Sequence, residues 1–166
     1  MTFEKMTASE ARNLRKLPKA KKVKQKPTIS AHTKALAKAD KYFSLWFRAI
    51  EADETGLVKC CTCGRYIPWK ATDGGTQTGH WQSRGFNNTR FNPMNVGVQC
   101  RKCNYYLEGA KQRMETYLIK RYGETEIRKI EASANIRTSI SDFELAELAK
   151  AFKADFEKTA KQKGLT

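Results

Sequence analysis

Residues 60–63 read CCTC, and residues 78–104 read TGHWQSRGFNNTRFNPMNVGVQCRKCN. Together the two stretches contain two C-x2-C pairs, Cys60 with Cys63 and Cys100 with Cys103. A tight turn can present two thiols at this spacing to one side, and two such turns supply the four sulfurs of a tetrahedral zinc site. We therefore expect a structural zinc ion to close residues 59–104 into one small unit.

The overall composition predicts a polyanionic partner. The chain has 166 residues with 32 Lys+Arg against 17 Asp+Glu, a formal net charge of +15 and a sequence pI near 9.7. This balance makes nucleic acid the first expectation. The sequence has no apolar run close to the roughly 18 residues of a membrane helix and no signal peptide, so we expect a soluble cytoplasmic protein without membrane contacts. In that reducing compartment, five cysteines indicate metal binding rather than disulfides, with Cys61 left over.

The charge is concentrated at the N-terminus. Between Arg12 and Lys26 there are eight basic residues and no acid, with few large apolar side chains to bury. Residues 1–29 are therefore predicted to be a flexible basic arm that orders on a partner. The arm residues predicted to contact DNA phosphates are Lys21, Lys22, Lys24 and Lys26. The alternative is a tail that only improves solubility.

The rest of the chain, residues 30–166, is predicted to be a single α+β domain. Residues 30–52 repeat aromatic and aliphatic side chains at helical spacing, which favours a core-facing stripe over a base-stacking surface. A second amphipathic helix is predicted from near Cys103 to Gly123, within a unit that covers residues 59–122. Residues 123–166 are predicted to form C-terminal helices, the last of which opens with a capping box at Ser141 and Glu144.

Between the cysteine pairs the sequence predicts a ββα unit. Short strands are expected at residues 65–69, 77–81 and 96–99, and the last leads into the second cysteine turn. In this arrangement His80 lies on the first strand of a hairpin, Asn95 precedes the second strand and Asn104 lies in the first turn of the helix. All three side chains can then face one groove.

The stretch TGHWQSRGFNNTRFNPMNVGVQCRKCNYYLEG at residues 78–109 resembles the zinc-clamped HNH, or His-metal finger, nucleases, and in particular the lambdoid phage NinG/Rap recombination endonucleases. The shared positions are His80, Arg84, Arg90, Phe91, Asn95, Gln99, both cysteines and Asn104. The resemblance implies a zinc-stapled ββα finger flanked by helices. It also implies a metal-dependent DNA endonuclease that cuts Holliday junctions and D-loops in a bacterial host.

The resemblance also implies a role for each shared residue. His80 would be the general base, because a neutral imidazole can take a proton from the attacking water. Asn95 would hold the imidazole in orientation, and Asn104 would offer an oxygen to Mg²⁺ or Mn²⁺. Arg84 and Arg90 would clamp phosphate. The remaining basic residues of the unit that we expect to contact DNA are Lys70, Arg101 and Lys102.

One position departs from the family pattern. Many of these nucleases have Asp, Glu or His immediately before the catalytic histidine as a second metal ligand, and this chain has Gly79. Glu108 is an alternative ligand, because it would share a helical face with Asn104 four residues earlier. Asp73, the one acid between the cysteine pairs, is another, and a single asparagine ligand is the third option.

Two other classes of function fit the same residues. A zinc ribbon that binds nucleic acid without cleaving it needs only the cysteines and the basic surface, and a recruiter protein needs only the helices and the arm. His80, Asn95 and Asn104 favour the nuclease, because a zinc clamp has no need of them. Since resolving a four-way junction takes two cuts, we also expect a homodimer, with the C-terminal helices as its interface.

Overall fold

Two long helices, three shorter helices and four short strands make up the computed structural model, which describes residues 29–70 and 75–165. The helices are α1 (Ala31–Glu51), α2 (Asn87–Arg90), α3 (Lys111–Tyr122), α4 (Glu124–Ala134) and α5 (Asp142–Gln162). The strands are β1 (Leu57–Lys59), β2 (Tyr66–Pro68), β3 (Thr76–His80) and β4 (Val96–Cys100). A 3₁₀ turn at Pro93–Asn95 precedes β4, and a π-helix at Lys102–Tyr106 follows it. The α+β class agrees with the prediction.

Helices α1 and α5 lie side by side and run in the same direction. At their starts, His32 Nδ1 and Asp142 Oδ1 are 2.6 Å apart. At their ends, Lys163 Nζ donates to the carbonyl oxygens of Ile50 and Ala52, both at 2.7 Å. The predicted capping box of α5 is present: the Ser141 side chain accepts from the Glu144 N–H, and the Glu144 carboxylate accepts from the Ser141 N–H.

The aromatic stripe of α1 forms the core, as predicted. The side chains of Phe43 and Phe47 are about 1% exposed. The Phe43 ring centroid lies 5.1 Å from that of Phe152 on α5 and 5.7 Å from that of Phe91 in the loop before β4. Because burial of a phenylalanine side chain contributes about 1.5–3 kcal/mol, these rings are the main support for the helix pair and for the loop beneath it.

The strands form two antiparallel hairpins. In the first, β1 pairs with β2, and the intervening turn contains the first C-x2-C pair. In the second, β3 pairs with β4 so that Thr76 lies opposite Cys100 and His80 opposite Val96. The 15-residue connection of this second hairpin contains α2 and the 3₁₀ turn. The predicted hairpin is present, but a five-residue π-helix follows it where the ββα prediction required an α-helix. Strand β1 was not predicted.

The helix predicted from Cys103 to Gly123 is wrong as a continuous element. The π-helix ends at Tyr106, and α3 begins only at Lys111. Between them the backbone of Glu108, Gly109 and Ala110 has positive φ angles of 48°, 83° and 46°. A left-handed backbone cannot continue a right-handed helix, so the chain makes a tight turn at this point.

Several predictions fall on residues that the structure does not describe. They concern residues 1–28 of the basic arm, including the four lysines predicted to contact DNA, and Asp73. None of the helices in the described part of the chain combines the length and the apolar character needed to cross a membrane.

Candidate functional site

The four paired cysteines converge in one cluster. The sulfur atoms of Cys60, Cys63, Cys100 and Cys103 all lie within 4.8 Å of one another. The sulfurs of Cys63 and Cys100 are 3.8 Å apart. Zn–S bonds of about 2.3 Å in a tetrahedral site place the sulfurs roughly 3.8 Å from each other, so this donor set could hold a zinc ion.

The ionisation of the cluster also favours a cation. Burial raises the pKa of Cys60, but hydrogen bonds from the Thr62 hydroxyl and the Cys100 N–H outweigh it and bring the pKa down to about 6. Burial raises the pKa of Cys103 to about 12. Neighbouring thiolates repel one another, and a bound metal ion removes this cost by neutralising them.

The spare cysteine lies outside this cluster. Cys61 Sγ contacts Met114 Sδ at 3.5 Å on the opposite side of the turn. Burial among apolar side chains raises the pKa of Cys61 far above that of an ordinary thiol. Its thiol is therefore a packing group, whereas the sequence predicted only that Cys61 would be left over from the two pairs.

The imidazole of His80 is held by a backbone carbonyl. Nε2–H of His80 donates to the Arg90 carbonyl oxygen at 2.9 Å. A carbonyl can only accept, so the proton is on Nε2 and Nδ1 keeps its lone pair. Burial lowers the pKa of His80, as does the positive charge of Arg84, against the opposing effect of the hydrogen bond to Arg90. The ring is therefore neutral at pH 7 and able to accept a proton.

Asn95 fixes the loop that provides this carbonyl. The side chain is fully buried and makes three backbone hydrogen bonds. Oδ1 accepts from the Gln82 N–H at 2.8 Å, and Nδ2 donates to the carbonyl oxygens of Gln82 and Thr89 at 3.1 and 3.0 Å. Since the next carbonyl after Thr89 is that of Arg90, Asn95 and His80 bind adjacent peptide groups of the same loop.

His80 and Asn104 line the same open cavity of about 670 Å³. Asn104 Nδ2 donates to Gln77 Oε1, which leaves Oδ1 as the free acceptor of this amide. The cavity is formed mainly by polar and basic groups from α1, strand β3, the loop after β3, the π-helix and the start of α3. Its lining residues are Ser44, Arg48, Thr76, Gln77, Thr78, His80, Trp81, Ser83, Arg84, Asn104, Tyr105 and Lys111.

Gly79 has no room for a side chain. A Cβ at this position would lie 2.0 Å from Gln99 Oε1 and 2.9 Å from Asn104 Oδ1. Gln99 cannot easily move away, because its Nε2 donates to the Gly109 carbonyl at 2.7 Å and to Thr62 Oγ1 at 3.3 Å. The space that an acidic residue before His80 would need is therefore taken by Gln99.

The family model of the bacteriophage lambda NinG protein matches residues 2–162. This chain belongs to the NinG family. No curated protein and no solved structure was found to match it.

The two arginines that the NinG resemblance marks as phosphate clamps differ in their surroundings. The side chain of Arg90 is only 12% exposed, and its guanidinium makes two hydrogen bonds to the carboxylate of Asp40. The side chain of Arg84 is 63% exposed and lies 3.9 Å from the same carboxylate. Arg84 is therefore free to meet a phosphate, whereas Arg90 supports the loop that holds His80.

None of the other predicted DNA-contacting residues in the described part of the chain lines this cavity. Lys70, Arg101 and Lys102 are exposed. Glu108 was predicted to share a helical face with Asn104 as a metal ligand, and that geometry is wrong. The π-helix ends before Glu108, and this residue is not among the cavity-lining groups. His32, the other histidine of the chain, lies in the first turn of α1 and contacts Asp142.

Arg48 is a cavity residue that the sequence did not single out. Burial lowers the pKa of its guanidinium, and the group donates to the carbonyl oxygens of Ser44, Trp69 and Thr76. Among residues 29–70 and 75–165, no carboxylate forms an ion pair with it. A half-buried cation of this kind attracts an anion. The sequence gave no reason to single out Arg48 as a functional residue, because it lies between Phe47 and Ala49 within the predicted helix.

We expect the purified protein to contain one zinc ion per chain and Cys63→Ser to lose it. The cluster would then keep three sulfurs, and its thiolates would repel one another without the metal. Metal content by mass spectrometry and thermal unfolding are the measurements. Cys61→Ala is the matched control, because this neighbouring cysteine is not a ligand. Equal zinc content in Cys63→Ser and the parent would contradict the assignment.

We also expect Gly79→Ala to destabilise the protein by about 1–3 kcal/mol, the usual effect of overpacking a tight site. Gly85→Ala is the control, since a Cβ there has only Ser83 Oγ nearby, at 3.6 Å. If the clash with Gln99 is the cause, Gln99→Ala should relieve part of the cost, so that the double variant unfolds at a higher urea concentration than additivity predicts. Strict additivity would exclude this explanation.

Proposed function

We propose that this chain is a divalent-metal-dependent DNA endonuclease that cleaves branched recombination intermediates, with His80 as the general base. The observation that carries the proposal is the shared cavity: an imidazole with a fixed tautomer and a lowered pKa lines the same groove as Asn104. A zinc site alone requires neither residue. We further propose that residues 76–106 form a His-metal finger stapled by zinc.

In this proposal the chain supplies the base and holds it in place. His80 Nδ1 takes a proton from the water that attacks phosphorus, and the imidazolium that forms keeps its Nε2–H bond to the Arg90 carbonyl. Asn95 fixes that carbonyl through the adjacent peptide group. A general base in this position contributes about 10²- to 10⁴-fold to the rate.

The oxygen donor of the groove fits a hard cation. Asn104 offers Oδ1, because its Nδ2 is committed to Gln77. Mg²⁺ prefers oxygen ligands and keeps several waters, so one amide ligand together with phosphate oxygens is a sufficient site. Such a cation, Mg²⁺ or Mn²⁺, would stabilise charge on the leaving oxygen. Since Gly79 cannot be replaced by a carboxylate in this packing, we propose Asn104 as the single described ligand.

The basic groups of the groove would hold the DNA backbone. Arg48 comes from α1 and is half-buried, whereas Arg84 comes from the loop after β3 and is exposed. Guanidinium groups bind phosphate through paired hydrogen bonds, so these two arginines can position the scissile phosphate over His80. Lys70, Arg101 and Lys102 would extend the positive surface beyond the cavity. The four lysines of the arm that are predicted to contact DNA would add to it.

The preference for junctions and D-loops comes from the family resemblance. A homodimer, required for paired cuts on opposing strands, remains a prediction, as does its interface on the C-terminal helices. The alternative function is a zinc module that binds nucleic acid without cleavage. The buried polar bonds of Asn95 would then serve the fold alone, and binding would still weaken steeply with salt.

We expect His80→Ala to lower the rate of DNA cleavage by about 10²- to 10⁴-fold while leaving DNA affinity within a few fold. The assay compares a four-way junction, a D-loop, a flap and plain duplex with Mg²⁺. Asn104→Ala should lose activity in the same panel and require a higher concentration of metal. His32→Ala is the matched control, because this histidine lies at the start of α1. Equal cleavage by His80→Ala and the parent would remove His80 from the mechanism.

The lowered pKa of His80 predicts the pH dependence of cleavage. The base works only when neutral, so the midpoint of the decline in kcat at low pH should lie below 6.5, the ordinary histidine value. Arg84→Gln removes a nearby positive charge, which should raise the pKa of His80 and move the midpoint to higher pH. The measurement is kcat between pH 5 and 8, and a midpoint above pH 6.5 in the parent would contradict the prediction.

A further inference from the structure

Three large apolar side chains in succession are exposed beside the groove. The exposed fractions are 68% for Tyr105, 65% for Tyr106 and 45% for Leu107. The two tyrosine rings pack edge to face, with centroids 5.2 Å apart and an interplanar angle of 88°. The sequence predicted these residues on the buried face of an amphipathic helix, and the turn after Tyr106 leaves them in solvent instead. Exposed apolar residues that are contiguous call for an explanation, whereas scattered ones do not.

This tip, residues 105–107, is held by a rigid base. The π-helix contains the zinc-cluster residue Cys103, and the turn that follows is tied to it by the hydrogen bond from the Gly109 N–H to the Cys103 carbonyl at 3.0 Å. Gln99, fully buried, donates to the Gly109 carbonyl at 2.7 Å. Rings on a fixed backbone lose little conformational freedom when they bind a ligand, so the tip is pre-organised.

The surroundings of the tip favour an anionic ligand. Tyr105 itself lines the cavity that contains His80 and Asn104. Exposed Arg101 and Lys102 precede the tip, Lys111 follows it, and Glu108 is the one acid between residues 101 and 114. The exposed apolar surface consists of three side chains. Its area is much smaller than the roughly 800 Å² that each partner of a stable protein complex buries.

We propose that Tyr105 and Tyr106 stack on unpaired nucleobases next to the scissile phosphate. Aromatic side chains bind the faces of bases without regard to sequence, and those faces are accessible only where bases have left the duplex stack. This inference rests on the proposed function and specifies its substrate class as DNA with unstacked bases at a branch point or strand opening. The tip then discriminates branched DNA from duplex, and the basic residues bind the backbone of both.

The test measures binding to a four-way junction and to a duplex of equal length, each with 2-aminopurine at one position, at the branch or within an arm. All variants are made in the His80→Ala chain with Mg²⁺ present, so that affinity is measured without cutting. Tyr105→Ala with Tyr106→Ala should weaken junction binding on the order of 10- to 100-fold and abolish the fluorescence change at the branch. Duplex affinity should stay within about twofold, since backbone contacts are intact.

Two controls separate stacking from other effects. Tyr105→Phe with Tyr106→Phe keeps the rings and should retain junction binding. Tyr66→Ala removes another exposed tyrosine, on β2, and should change nothing. Equal junction and duplex affinities in the parent, or an unchanged preference in the double alanine variant, would overturn the inference.

Three further outcomes are informative. Equal loss of junction and duplex binding would assign the tyrosines to general affinity and overturn the inference. A changed sedimentation mass of the double alanine variant without DNA would identify the tip as a contact between protein chains and would also overturn it. Cleavage is measured separately in the chain with His80 restored. If the junction is not cut but is still bound in preference to duplex through the tyrosines, the proposed endonuclease activity is refuted and the stacking site stands.

Discussion

The meeting of four sulfur atoms is the constraint on which the rest of this structure depends. It joins the turn of the first hairpin to the end of the second, and the backbone supports it where the Cys61 N–H donates to the Val98 carbonyl at 2.8 Å. Without a cation, sulfurs this close would have to remain largely protonated. Because Asn104 directly follows Cys103, whatever holds the sulfurs also sets the position of the proposed metal ligand and of the tyrosines beyond it.

Two buried amide side chains hold the backbone around the site. Asn95 and Gln99 are both fully buried, and each donates to backbone carbonyls. A buried polar group without a partner costs about 1–3 kcal/mol, so these hydrogen bonds offset the cost of placing the two amides in the interior. Gln99 Oε1 is the one buried side-chain oxygen or nitrogen without a partner in the described part of the chain, and it faces Gly79.

The sequence predicted the features that depend on local pattern. Cysteine spacing placed the cluster, helical periodicity identified the core stripe of α1, and Ser141 with Glu144 marked the start of α5. It missed what depends on contacts between distant residues: Arg90 pairs with Asp40 fifty residues away, and no local signal assigns that guanidinium to an ion pair. The break after Tyr106 was missed for another reason. Glu108 and Ala110 are ordinary helix formers, and the turn that holds them in a left-handed backbone includes a bond from the Gln99 side chain to the Gly109 carbonyl that local sequence does not reveal.

The parallel arrangement of α1 and α5 has a consequence for biosynthesis. Their first turns touch across 110 residues of chain, so α1 leaves the ribosome long before the helix that covers it exists. At roughly 5–20 residues per second, translation of that interval takes on the order of ten seconds. During this time the phenylalanines of α1 lack their final neighbours on α5, so a chain that ends before α5 would leave that apolar surface exposed and prone to aggregate.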